Sequence, residues 1–454
     1  MHVLPQLRKL ERKYADVLTV VGIHSAKFNA EKSSDNVREA VRRYEIGHPV
    51  VNDADFAIWQ SYAARAWPTL MFIDPSGKVI GRHEGEFDVN ALDGILAGMI
   101  EEQESYGFLV RGDFELSSET SEESILSYPG KITADPDSEI LVISDSNHHR
   151  VLITDLDGKI EKTLGNGGSP LVSGNNLGAF GRRGFDEPLF DNPQGLVIDG
   201  DKLFVADAGA HTIVEVDLAN ESARTVAGIG EKSLYRHEGG DALKVPLNSP
   251  YDLSFNGETL YIAMAGFHQL WAMEIASGQI LPFAGTGAEN IVDDVREQAL
   301  LAQPYGIEVS NNAVFFIDSE TSALRVSAIA SEGRVVTLIG TGLFDFGDYD
   351  GVGKEAKLQH PQGLAVNNDA IYIADSYNNK IKSVAIGSLK VRTVAGSGEV
   401  GKGDGASDAA QFSEPAGLAV MGDVIYVADT NNHLIRVIDI ESGDVSTLDV
   451  RQIY

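Results

Sequence analysis

The feature that most constrains this chain is a repeat. Openings "PGKI", "PQGL", "PYDL", "PYGI", "PQGL" and "PAGL" place prolines at 129, 193, 250, 304, 361 and 415, 54 to 64 residues apart. Each leads to a second apolar run ending in a turn: "LVISDSNHHRV", "LFVADAGAHTI", "LYIAMAGFHQL", "VFFIDSETSAL", "IYIADSYNNKI" and "IYVADTNNHLI". A third run follows, such as "IRVIDIESG", then a fourth, such as "VRTVAGSG". Four short strands per unit, six times over, predict a six-bladed β-propeller across residues 129–454. A solenoid or separate sandwiches fit less well, because four-stranded units this regular need circular closure.

Within each unit, the glycine of "PQG" suits a tight entry, since glycine tolerates backbone angles that other residues avoid. Asp145, Asp207, Asp318, Asp375 and Asp429 are placed to accept bonds from turn amides. The third unit has Met264 there, so its turn must be satisfied otherwise. Four positions on stand His149, His211, His268, Ser322, Asn379 and His433. These histidines fall at the same point of different blades, too dispersed to share one ion, so a structural role is expected. "YVADTNNHLIRV" and "YIADSYNNKIKSV" closely resemble NHL repeats.

In an up-down-up-down blade, the turn between the second and third strands shares a face with the links between blades. Those links are long, and long loops on a rigid scaffold are where binding commonly resides. Phe180, Arg182, Arg183, Phe185, Tyr235, Phe344, Phe346 and Tyr349 are the candidates for a protein-binding face. The same aromatics could instead pin the loops down. Asp345, Asp348, Asp350 and Asp404 are residues of the type calcium prefers, but "DFGDYDG" lacks a closing glutamate, and solvated acids explain them adequately. No G-x-S-x-G, H-E-x-x-H or P-loop pattern is present, so no metal, cofactor or catalytic residue is assigned.

The chain carries 36 Lys and Arg against 67 Asp and Glu, a net charge of −31, of which residues 1–105 contribute only −4. Such a surface repels phosphate backbones, so nucleic acid is excluded as a partner. No apolar run reaches the roughly 18–20 residues that span a bilayer. "MHVLPQLRKLERKY" lacks the layout of a secretory signal, which predicts a cytoplasmic protein. The chain has no cysteine, which removes thiol chemistry and disulfides.

Residues 1–105 alternate helices and strands. Leu4, Leu7, Leu10 and Tyr14 form a helical stripe, "VLTVVGIHS" reads as a buried strand, and "TLMFID" with "KVIGRHEG" reads as a hairpin. The segment "PVVNDADFAIWQSYAARAWPTLMFIDPSGKVIGRHEGE" resembles thioredoxin-like proteins of the peroxiredoxin and cytochrome-maturation type. That resemblance implies a cis Pro68 between Trp67 and Thr69, facing a cysteine pair at the start of the first helix. Here "MHVLPQLRKLERKY" matches that helix from just beyond the second cysteine, so the pair and its preceding strand are expected upstream of Met1 in a longer reading frame. The fold class expected is therefore an incomplete thioredoxin-like α/β domain at 1–105, an acidic linker at 106–128 and an all-β six-bladed propeller at 129–454. A sheet missing its middle strand leaves backbone groups unpaired, which makes 1–105 the less stable part.

This order of domains is similar to that of the NHL repeat-containing protein 2 family. The resemblance implies a redox module coupled to a protein-binding propeller, redox-inactive in a chain without cysteine. A longer form would be a thiol-disulfide oxidoreductase. The alternative from another class, by analogy of fold alone, is a lactonase or lyase with a metal in the propeller channel.

Overall fold

A computed structural model describes residues 3–87, 89–112, 124–170, 181–233, 235–367 and 370–452. The chain forms two compact units, Met1–Glu123 and Ser124–Tyr454.

In the first unit, α1 (Leu4–Lys13) opens with a proline in its first turn, where the missing N–H costs nothing. Then follow β1 (Gly22–His24), α2 (Ser34–Arg43), β2 (Val50–Asn52), α3 (Ala57–Ser61), β3 (Thr69–Ile73), β4 (Val79–Glu84) and α4 (Val89–Ser105). Leu10 of α1 packs with Phe87, Leu92 and Leu96, joined by Leu7, Tyr14, Leu70 and Phe72. Leu4 of the predicted stripe is not among them.

Strands β1 and β2 pair in parallel, β3 and β4 pair antiparallel, and among the described residues no strand joins the two pairs. The sheet is thus incomplete. The strand predicted over residues 17–25 shrinks to Gly22–His24, because β1 has a ladder partner on one side only. Val21 and Ile23, apolar residues suited to a buried strand, are 52% and 42% exposed.

The second unit is six sheets of four successive strands. Blade 1 holds Pro129–Asp135, Ile140–Asp145, Arg150–Asp155 and Ile160–Leu164. Blade 2 holds Pro193–Asp199, Lys202–Asp207, Thr212–Asp217 and Ser222–Ala227, and blade 3 Pro250–Phe255, Thr259–Met264, Gln269–Glu274 and Gln279–Ala284. Blade 4 is Pro304–Ser310, Ala313–Asp318, Ala323–Ala328 and Val335–Ile339. Blade 5 is Gly363–Asn367, Ala370–Asp375, Lys380–Ala385 and Lys390–Ala395, and blade 6 Pro415–Met421, Val424–Asp429, Leu434–Asp439 and Val445–Leu448. Leu126 and Tyr128, at the end of the segment read as a linker, are buried in this unit. Leu126 joins the apolar layer between blades 6 and 1, where Ile132 and Leu141 meet Ala419, Tyr426 and Ile435.

The opening prolines pair with the ends of the second strands (Pro129 with Asp145, Pro193 with Asp207, Pro415 with Asp429), so links and second turns share one face. The glycines after these prolines do not adopt left-handed angles, contrary to the reading from sequence. They permit close approach instead. A Cβ on Gly195 would lie 2.4 Å from the Asp252 Cα, and one on Gly417 2.6 Å from the Lys131 Cα. The innermost strands meet there with no room for a side chain.

Limited proteolysis tests the inequality of the two units. Thermolysin is expected to cleave within residues 1–112 first and leave a resistant propeller. A first unit that outlasts the propeller would contradict the account of its divided sheet.

Candidate functional site

Each blade junction is built from two left-handed residues. Tyr128, Asn192, Ser249, Gln303, His360 and Glu414 precede the six opening prolines, with φ between 45° and 71°. The turn residues His149, His211, His268, Ser322, Asn379 and His433 have φ between 51° and 58°. Each turn side chain accepts the backbone N–H that precedes the next blade. His149 Nδ1 takes Asn192 (3.2 Å), His211 takes Ser249 (3.0 Å) and His268 takes Gln303 (3.2 Å). Ser322 Oγ takes His360 (3.1 Å) and Asn379 Oδ1 takes Glu414 (3.0 Å). His433 Nδ1 takes Tyr128 (3.1 Å), which closes blade 6 onto blade 1. Thr430 adds a bond from its hydroxyl to the Pro129 carbonyl at 2.8 Å.

The aspartates serve the incoming link rather than mainly their own turn. Asp145 accepts from Ser127 N, Asp207 from Asp191 N, Asp318 from Ala302 N, Asp375 from Gln359 N and Asp429 from Ser413 N. In blades 4 to 6 a fully buried cation answers each carboxylate. Arg325 bonds Asp318 (2.8 Å) and Asp293 (3.1 Å), and Arg436 bonds Asp429 (2.9 Å) and Asp404 (2.6 Å). Lys382 lies 2.7 Å from Asp348, 2.9 Å from Asp350 and 3.8 Å from Asp375. Blade 3 replaces this pair with Met264 and Trp271, both fully buried, and Gln269 accepts the Trp271 indole N–H at 3.1 Å. A buried ion pair and a packed apolar pair are near-equivalent solutions to one site. Asp207 has neither. Its nearest opposing charge, Arg183, acts only at a distance, and burial together with Asp191 pushes its carboxyl up to about 8.

These clamps decide what the links can do. Asp345, Asp348, Asp350 and Asp404 are held by Lys357, by Lys380 and Lys382, by Lys382, and by Arg436. Among the described residues no cluster of potential metal ligands occurs. Phe344 and Tyr349 alternate with these acids in sequence and are 71% and 60% exposed, while Phe346 is half-buried. Tyr235 is 75% exposed in a different link, ahead of blade 3. Arg182 and Arg183 lie where the link runs along blade 2. Arg183 and Gly184 pair with Ala223 and Ser222 on the outer strand of blade 2, and Arg182 reaches the Ser222 hydroxyl. Gly240–Asp241, Val295, Val352 and Gly405 cover the outer strands of blades 3 to 6 in the same way. An open edge strand invites association, and covering it prevents that. Phe185 packs against the layer between blades 1 and 2. Phe180 lies outside the described residues.

On the propeller axis, Lys131 and Asp252 occupy the position that is glycine in the other four blades. The Lys131 ammonium bonds Asp252 (3.1 Å) and the carbonyls of Tyr305 (3.0 Å) and Gln362 (2.7 Å). A cation tethered to blade 1 thereby spans blades 3, 4 and 5. Glu308 lies near Asp252, and burial with that neighbouring charge pushes its carboxyl up to about 8. A small cavity in the first unit, beside Arg8, Tyr44 and His48, holds about 10 Å³. That is room for about one water.

In the first unit the Trp67–Pro68 bond is cis. The Trp67 indole donates to Ser25 O at 2.8 Å, its ring lies 4.5 Å from Trp59, and Thr69 Oγ1 donates to Ala66 O at 2.7 Å.

The thioredoxin-like family profile matches residues 1–79, and the NHL repeat profile matches 358–382 and 412–438. The chain is 37% identical to human NHL repeat-containing protein 2 over 488 residues, covering 99% of this chain and 66% of that protein. The chain belongs to the NHL repeat-containing protein 2 family. Another relative is the chloroplastic protein Suppressor of quenching 1 of Arabidopsis thaliana, 40% identical over 99% of this chain and 44% of its own length. The chain thus spans under two thirds of these relatives. A solved protein of unknown function from Bacteroides thetaiotaomicron shares the fold, with a TM-score of 0.50, 16% identity and 69% of each chain covered. No described helix is long and apolar enough to cross a membrane.

Sequence reasoning missed the axial Lys131–Asp252 pair and the clamps on Arg325, Lys382 and Arg436. One signal existed: in a family of NHL repeats, "PGKI" and "PYDL" break the glycine pattern with opposite charges.

Two substitutions test these electrostatics. Lys382→Met removes the counter-charge of Asp375 and should lower stability by about 3 kcal/mol in urea unfolding. Asp207→Asn should do the reverse. Unfolded aspartate ionises near pH 4, whereas folded Asp207 keeps its proton to about pH 8, so native stability falls as pH rises between the two. The variant should flatten that slope and be more stable than the parent by about 1 kcal/mol at pH 8.5.

Proposed function

We propose that the chain acts as a binding scaffold, holding a protein partner on the link-bearing face of the propeller. The observation that carries this reading is the segment around 344–350. Its acids are clamped to Lys357, Lys380 and Lys382 while Phe344 and Tyr349 stand exposed. Aromatic side chains presented on an already ordered loop lose little entropy on binding, which is the character of interface hot spots. The thioredoxin-like unit offers a second contact around Trp67, Pro68 and Thr69. With no cysteine in 454 residues, this chain supplies no thiol for exchange; a longer form carrying a cysteine pair would add that chemistry. A cytoplasmic setting and the exclusion of nucleic acid belong to the same reading, the latter resting on the net charge of −31.

A metal-dependent hydrolase is the weaker reading. The channel position such an ion would take is filled by the Lys131 ammonium, with Asp252 and two carbonyls as its ligands.

Phe344→Ala/Tyr349→Ala tests the scaffold. Both side chains are exposed, so the melting temperature should stay within about 2 °C of the parent. A partner cross-linked to the parent from the source cell should be retained at least tenfold less by the variant. It should be retained equally by a Glu258→Ala control at the opposite end of the blades. Equal capture by all three proteins would refute the proposed face.

A further inference from the structure

Each blade junction includes one of six equivalent side-chain acceptors, and four of these are histidines, the residue type whose charge ordinarily changes between pH 5 and 8. His149, His211, His268 and His433 accept backbone N–H groups through Nδ1 at 3.0 to 3.2 Å. The other two acceptors, Ser322 and Asn379, do not titrate. An imidazole accepts only through a nitrogen that carries no proton, and once protonated both nitrogens donate. Nδ1–H would then face the incoming N–H directly. Tyr128 and Ser249, two of the donors, are buried, where weakening an N–H bond is costly.

We propose that the propeller is an acid-responsive ring: protonation of the four latch histidines loosens the junctions between blades 1 and 2, 2 and 3, 3 and 4, and 6 and 1. The two junctions flanking blade 5, held by Ser322 and Asn379, stay shut. The face that loosens is the one that bears the links. This inference depends on the junction geometry and not on the binding reading above.

Charged and aromatic groups lie beside several of the latches. Asp191 Oδ1 lies 3.8 Å from His149 Nδ1, and Asp318 interacts electrostatically with His268. His433 packs against the Tyr128 ring at 4.2 Å. His211 receives the Ser249 N–H at 3.0 Å. Other carboxylates at these turns work against the effect. Burial holds the protons of Asp207, Asp375 and Asp429 up to about pH 8, 7 and 6, and their proton uptake on acidification strengthens the fold. Acid loosening confined to the histidine junctions therefore cannot come from them.

Amide hydrogen exchange on the full chain at pH 7.5 and 5.5, corrected for intrinsic rates, reads each junction separately. The amides of Tyr128, Asn192, Ser249 and Gln303 should lose protection at least tenfold at the lower pH. Those of His360 and Glu414 should change less than twofold. Asn379→His should confer the same acid response on the Glu414 amide. The quadruple variant His149→Asn/His211→Asn/His268→Asn/His433→Asn copies the Asn379 latch and should abolish the response. A uniform response at all six junctions would overturn the proposal, as would an unresponsive Glu414 amide in Asn379→His. Should the quadruple variant fail to fold, the single Asn379→His measurement decides alone.

Discussion

A backbone N–H, turned by a left-handed residue just before a proline and received by a side chain one blade back, is the contact on which the propeller depends. Among the described residues every blade is made of successive strands, and the C-terminal segment adds to blade 1 a single backbone bridge, Arg451 with Lys159. Closure combines packing between neighbouring sheets with these six bonds and with hydroxyl bonds such as Ser146 to the Pro193 carbonyl and Thr430 to the Pro129 carbonyl. Holding a non-glycine residue at positive φ costs on the order of 1 kcal/mol. The fold accepts that at twelve positions, two per junction, because the conformation aims donor and acceptor at one another. The junction between blades 6 and 1 is the decisive case. There His433 and Thr430 meet Tyr128 and Pro129, about 300 residues away in the chain.

The acidic composition takes on a different meaning once the junctions are seen. A charge of −31 suggests a surface made soluble by carboxylates. Yet Asp145, Asp318, Asp375 and Asp429 are fully buried acceptors, and Asp293, Asp348, Asp350 and Asp404 fasten links to cations inside the blades. Many acids are thus structural. Where described, the long links are held at their acids and laid along outer strands, with Phe344, Tyr349 and Tyr235 left exposed.

The first unit stands in contrast. Its strands form two separate pairs, and apolar side chains such as Val21 and Ile23 stay half-exposed. The surroundings of Trp67 and Pro68 are nevertheless well tied, through Ser25, Trp59 and Ala66. The cis-proline neighbourhood of a thioredoxin-like domain is thus ordered in a chain that has no cysteine.

What the sequence determined by itself was everything local and periodic. The spacing of the prolines set six blades, alternating apolar runs set four strands each, and recurring Asp and His positions marked the turns. Those patterns are legible because each depends on residues a few positions apart, repeated six times. The tertiary structure alone decided which charges meet. Lys131 finds Asp252 across 121 residues and the Gln362 carbonyl across 231. The glycines proved to be needed for close approach between innermost strands rather than for unusual backbone angles. Such partnerships arise only when a ring of fixed radius brings distant strands to a common axis, and a linear pattern carries no record of that radius.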